Sequence, residues 1–183
     1  MIKKSIVQLV GNTPLMKFPS EEGRGDVYFK IEGKNPGGSI KDRAVLGMVQ
    51  DGLKTGKIKK GDTLIEATSG NTGIALSMIG RALGHPVVIV MPTTMSEERK
   101  QLMRAYGAEL ILTGEGGMAT AVKEAERLAE EKGYFMIRQF DNPANAQAHY
   151  DTTGPEIFKD LPEGTAFVAG IGTGGTVTGV GSF

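Results

Sequence analysis

Five consecutive apolar residues, Val87-Val88-Ile89-Val90-Met91, run up to Pro92 with no polar side chain among them. A strand without a polar face is one covered on both faces, the condition of a central strand in a parallel sheet flanked by helices. The neighbouring stretches meet that requirement. Thr63-Leu64-Ile65-Glu66-Ala67 and Glu109-Leu110-Ile111-Leu112 read as strands on either side of it in the chain. Between them, Ala75, Met78, Ile79 and Ala82 recur at i, i+3, i+4 and i+7, the spacing of a buried helix face. Ser96 opens another helix with Glu97 and Glu98 in its first turn and Gly107 closing it. Val122, Ala125, Leu128 and Ala129 mark the buried face of a third, from about Met118 to Glu131. Val27 to Ile31, Phe135 to Phe140 and Thr165 to Ala169 read as further strands, and Gln147 to Lys159 as a helix interrupted around Gly154-Pro155. The expected class is α/β: open, mostly parallel sheets with helices on both faces.

Charge narrows the partners. The 183 residues carry 21 basic and 21 acidic side chains with no long run of either sign, so neither nucleic acid nor an anionic membrane surface is an expected partner. No apolar stretch approaches the ~18 residues of a membrane span, and Met1 to Ser5 is not followed by a signal-peptide core, so a cytoplasmic location is expected. Cysteine is absent, which removes disulfides, thiol nucleophiles and thiolate metal sites; His85 and His149 are too few and too far apart for a metal centre. Glycine is over-represented, 27 residues, and it is gathered in short clusters where strands end. Clustered glycine means close backbone approaches, often to a ligand.

Three clusters carry the chemistry. In Asn35-Pro36-Gly37-Gly38-Ser39-Ile40-Lys41-Asp42-Arg43, a glycine turn precedes a helix start, with Ser39 and Asp42 spaced like a capping box. Lys41 thereby falls in the first turn and faces the positive end of the helix dipole. That placement and partial burial both favour the neutral amine, a nucleophile suited to Schiff-base formation with a carbonyl. From this segment alone, an exposed lysine beside a cap reads equally well. Thr68-Ser69-Gly70-Asn71-Thr72-Gly73 joins a strand to a helix, where loops of open α/β sheets bind ligands. Its hydroxyls and amides suit a carboxylate or phosphate, and also an ordinary capped turn. Gly170-Ile171-Gly172-Thr173-Gly174-Gly175-Thr176 has the composition of a phosphate cradle ahead of a helix. It lacks the Gly-Lys-Ser/Thr of a nucleotide P-loop and the glycine spacing of a dinucleotide fingerprint, so a small phosphate monoester fits better. Gln139 and Asp141 to Asn145 are delivered to the same edge.

These motifs, with Met91-Pro92-Thr93-Thr94-Met95-Ser96, Val10-Gly11-Asn12-Thr13-Pro14-Leu15 and Thr152-Thr153-Gly154-Pro155-Glu156, resemble in order those of the cysteine synthases, which are fold type II pyridoxal-phosphate enzymes. Arg104 to Ile111 and His149-Tyr150 look like the B type, Gly174-Gly175 like the A type. The resemblance implies pyridoxal 5'-phosphate held covalently by Lys41, its ring hydroxyl met by Asn71 and its phosphate by Gly172, Thr173, Gly174, Gly175 and Thr176. It implies a substrate carboxylate held by Thr68, Ser69, Thr72 and Gln139, with Lys41 also acting as general base. The implied reaction makes cysteine from O-acetylserine and sulfide or another sulfur donor, in a homodimer. A cystathionine β-synthase-like enzyme, a serine/threonine dehydratase and a catalytically silent fragment are the alternatives. Two lobes are expected: residues 1–40 begin the larger, 41–145 form a smaller one that moves on substrate binding, and 146–183 return to the larger. Family members continue past the phosphate loop, whereas this chain stops at Gly181-Ser182-Phe183 inside an expected helix. A fragment or a short form is therefore expected, with exposed sheet edges and apolar faces.

Overall fold

The computed structural model describes residues 2–183. Its centre is a four-stranded, all-parallel sheet in the order β5-β4-β3-β6, formed by β3 (Leu64–Ala67), β4 (Val87–Pro92), β5 (Glu109–Thr113) and β6 (Phe135–Met136). The unbroken apolar run of β4 is covered on both sides. Ile89 and Met91 point into one core with Leu64, Met48, Ile79 and Met103, and Val88 and Val90 into another with Ile65, Ala67, Ala121, Ala125 and Leu128. The first core is closed by α1 (Lys41–Lys54) and α2 (Asn71–Ala82), with α3 (Glu97–Ala105) outside α2; the second is closed by α4 (Gly117–Lys132). Each fully buried Val or Ile of β4 contributes roughly 1.5 to 3 kcal/mol, and the strand pairs with β3 in the register Leu64 opposite Val87 and Ala67 opposite Val90. Ahead of the sheet, β1 (Leu15–Lys17) and β2 (Tyr28–Lys30) form a separate antiparallel ribbon. After it come α5 (Ala144–Ala148), a π-helical turn (His149–Thr153), α6 (Gly154–Asp160) and α7 (Gly175–Ser182).

A buried ion cluster joins the ends of the chain to α1. The Arg43 guanidinium donates to Glu32 through Nε at 2.8 Å and to Glu156 through Nη1 and Nη2 at 2.7 Å, while Lys30 Nζ pairs with Glu156 at 2.8 Å. Two cations and two carboxylates balance there, which is what allows the group to lie away from water.

Several expectations need correction. The Phe135–Phe140 strand stops at Met136, because Arg138 takes a left-handed conformation, φ 56°, and leaves the ladder. Residues 165–169 are no strand: extended pairing needs a neighbour, none of the described strands lies beside them, and Val168 is 91% exposed. The helix expected over 147–159 begins earlier, at Ala144, and its irregularity is the π-turn at His149–Thr153; Gly154 and Pro155 open α6, where proline forfeits no helical hydrogen bond. Ala82 and Val122 are exposed, and Ala121 takes the buried place on α4. The capping box is also different. Ser39 Oγ accepts from the Lys41 N–H at 3.2 Å, but Asp42 reaches further back and accepts from the Gly37 N–H at 2.6 Å.

Candidate active site

Lys41 stands at the first residue of α1, behind the Gly37-Gly38 turn. Gly38 has φ 83°, open only to residues that tolerate the left-handed region, and a Cβ at Gly37 would collide with the buried Asp42 carboxyl that braces the turn. Burial pushes Asp42 up to about 6, against the Gly37 N–H and with the repulsion of Glu32. Lys41 itself is half-buried, and burial lowers its amine below the ordinary lysine range. Among the described residues its amine has no hydrogen-bond or ion-pair partner, so its conformation and protonation are free to answer a ligand.

The loop between β3 and α2 lies at the carboxyl end of the sheet. Thr68 and Thr72 are buried, and Thr72 Oγ1 donates to Gln139 Oε1 at 2.6 Å, joining the loops that follow β3 and β6. Ser69 is half-buried; its carbonyl accepts from Arg99 Nη1 at 3.3 Å. Asn71 is exposed at the first position of α2, and its side chain contacts none of the other proposed residues through a hydrogen bond. At Gly73 a Cβ would lie 2.7 Å from Met103 Cε and 3.1 Å from Thr68 Cγ2, so α2 and α3 pack closely beside this loop.

The third loop meets the others through two residues whose roles no sequence motif announced. Asn145 Nδ2 donates to the Gln139 carbonyl at 2.8 Å and to Thr173 Oγ1 at 3.0 Å. A Cβ at Gly175 would collide with that same Asn145 amide, and Gly174 holds φ 80°. His149, four residues after Asn145, shares hydrogen bonds with Thr153 Oγ1 at 2.9 Å and Thr176 Oγ1 at 3.3 Å. Burial, with the charges of Arg43 and Lys41, lowers its pKa to about 4, so the ring is neutral at physiological pH. The i, i+4 spacing of Asn145 and His149 was the available clue, since it puts both on one helix face. Thr72, Gln139, Asn145 and Thr173 are thus linked by a continuous set of hydrogen bonds that Gly175 joins through its N–H, while Thr176 belongs with His149 and Thr153. A cavity of about 590 Å³ lined by Gly11, Asn12, Gln50, Lys54 and Gln147 lies elsewhere, along α1, and includes neither Lys41 nor these loops.

The residues fit a small phosphorylated carbonyl compound. The glycines of 172–175 leave backbone N–H groups bare of side chains, Thr173 and Thr176 add hydroxyls, and a desolvated, unpartnered amine stands at the helix mouth. Fold and loops together define an open α/β lobe with its ligand loops beyond the carboxyl ends of parallel strands.

The relatives agree. Residues 6–183 match the family model described as pyridoxal-phosphate dependent enzyme, and this chain belongs to that family. It is 50% identical over 182 residues to a cysteine synthase of Staphylococcus aureus, covering 97% of this chain and 59% of that protein. It is 50% identical over 183 residues to cysteine synthase B of Escherichia coli, covering 98% and 60%. A crystal structure of a cysteine synthase from Entamoeba histolytica superposes with a TM-score of 0.94 at 40% identity, covering all of this chain and 56% of that one. The chain therefore spans about 60% of the length of the curated relatives it matches.

Proposed function

We propose that this chain serves pyridoxal-phosphate-dependent β-replacement, the making of L-cysteine from O-acetyl-L-serine and sulfide or another sulfur donor. The observation that carries it is the 2.6 Å bond between Thr72 and Gln139, which joins the loop of Thr68 and Ser69 to the turn after β6 at the carboxyl end of the sheet. In this reading, Thr68, Ser69, Thr72 and Gln139 receive the amino-acid carboxylate and so orient the hydrogen on its α-carbon. Asn71 meets the ring hydroxyl of the cofactor, and Gly172 to Thr176 hold its phosphate. When bound, pyridoxal phosphate supplies an electron sink for charge developing at the α-carbon. Lys41 would hold the cofactor through its carbonyl carbon, with water leaving, and once the substrate's amine had displaced it the freed, neutral lysine would take the α-proton; its lowered pKa enlarges the neutral fraction at a given pH. Neutral His149 keeps Thr176 in place without adding a charge beside the phosphate. The same reading takes the working state to be a homodimer in the cytoplasm, and a sedimentation series over protein concentration checks the dimer.

Absorbance and intact mass of the purified chain with pyridoxal phosphate, before and after borohydride reduction, test the assignment against Lys41→Ala. A visible band, a reduced adduct mapped to Lys41, and a further spectral change with O-acetyl-L-serine are expected. A folded chain without an adduct would sink the assignment of Lys41, and an adduct without response to O-acetyl-L-serine would sink the substrate.

A further inference from the structure

Glu66 is an acidic residue in the middle of β3, a strand buried at all four positions, and it is 3% exposed. A carboxyl group there is costly unless its oxygens are used. They are used by the backbone beyond β6: Glu66 Oε2 accepts from the Arg138 N–H at 2.8 Å, and the Gln139 N–H also stabilises the charged form. Arg138 has φ 56°, uncommon for a residue other than glycine, and this turn ends β6 after two residues. The same turn sends the Gln139 side chain to Thr72 Oγ1 and its carbonyl to Asn145 Nδ2. An aliphatic residue at position 66 would suit the sheet better, and nothing else among the described residues accepts the Arg138 N–H.

We propose that Glu66 is a positioning residue for the amino-acid carboxylate site: its carboxylate holds the 138–139 backbone in the turn that presents Gln139 to Thr72. The inference deepens, and rests on, the reading of Gln139 as a carboxylate-binding residue. Burial raises Glu66 to about 7; the two N–H groups and the Arg138 charge oppose the rise and Asp141 adds to it. Ionisation near neutrality strengthens the Arg138 N–H bond and the attraction for the Gln139 N–H, since charge-assisted hydrogen bonds are about twice as strong as neutral ones. The site therefore tightens as pH rises through about 7. Stability moves the other way, because a raised carboxyl pKa contributes stability that is full below the ordinary value of 4.5 and lost as pH rises through about 7.

The test follows the amide resonances of Arg138 and Gln139 in the isotope-labelled chain from about pH 5 to about pH 9, in wild type and Glu66→Gln. Both should move with one midpoint near 7, and the movement should vanish in the variant. Amides that stay flat in wild type, or that titrate equally in the variant, overturn the proposal. In the chain loaded with pyridoxal phosphate, Glu66→Gln should weaken O-acetyl-L-serine binding about tenfold at high pH and leave cofactor affinity within about twofold. Equal loss of both would make Glu66 a general structural residue and overturn the assignment. Should Glu66→Gln not fold, Glu66→Asp keeps the charge one methylene short of the turn, and the amide movement should persist with smaller amplitude; full amplitude overturns the proposed contact. Wild type that binds no O-acetyl-L-serine but shows the amide titration overturns the substrate reading while supporting the hold on Gln139.

Discussion

Arg43 has a side chain only 1% exposed, held by Glu32 on one side and Glu156 on the other. Burial pushes Glu156 up, but Arg43, Lys30 and the Asn12 N–H outweigh it and bring the carboxyl down to about 2. A depressed carboxyl pKa contributes stability that is present above the ordinary 4.5 and lost as pH falls toward 2. Thermal melts should therefore fall away across that acid window. Arg43→Met would leave Glu32 without a cation and Glu156 with Lys30 alone, and should cost about 3 kcal/mol at neutral pH; a melt indistinguishable from wild type would refute the role given to the cluster. Nothing local in the sequence marks Arg43, whose partners lie 11 and 113 residues away. The turns beside Lys41, Thr68 and Gln139 were legible for the opposite reason: each lies where a regular element meets a polar stretch, a change visible within a few residues.

The elements divide in the same way. Strands β3, β4 and β5 and helices α1 to α4 are each long or apolar enough for their period to show, and the structure has them within a few residues of the expected bounds. Where tertiary contact decides, the period misleads. Residues 165–169 have strand composition but no partner, and β6 is cut short by Arg138. α7 packs against the π-turn of His149–Thr153, and the approach depends on Gly179, where a Cβ would collide with the Ala146 carbonyl and crowd His149. Gly179→Ala should destabilise the chain by about 1 to 3 kcal/mol through overpacking, despite the better helix propensity of alanine. Chemical denaturation checks this, and a gain in midpoint would show that α7 does not sit where it is described.

At the scale of the molecule, the sheet is sealed on both faces while the later segment is open. Phe140, Phe158, Val168 and Ile171 are 69%, 59%, 91% and 77% exposed. Amide exchange should be slowest in β4 and near the solvent rate over residues 165–171; slow exchange there in the isolated chain would contradict the exposure of this segment. We also propose that residues 41–145 shift as a lobe when an amino acid binds, which ligand-dependent protection within that range would support. The Arg43 cluster has one more consequence, in the order of folding. Glu156 must close a loop of 113 residues to reach α1, an entropic cost on the order of 4 kcal/mol that local helices never meet. Until then Arg43 has Glu32 alone as its carboxylate partner, 11 residues away. During synthesis the sheet can form as its strands leave the ribosome, but the cluster beside α1 is complete only once residue 156 has emerged, so the helix that carries Lys41 gains its last ionic anchor late.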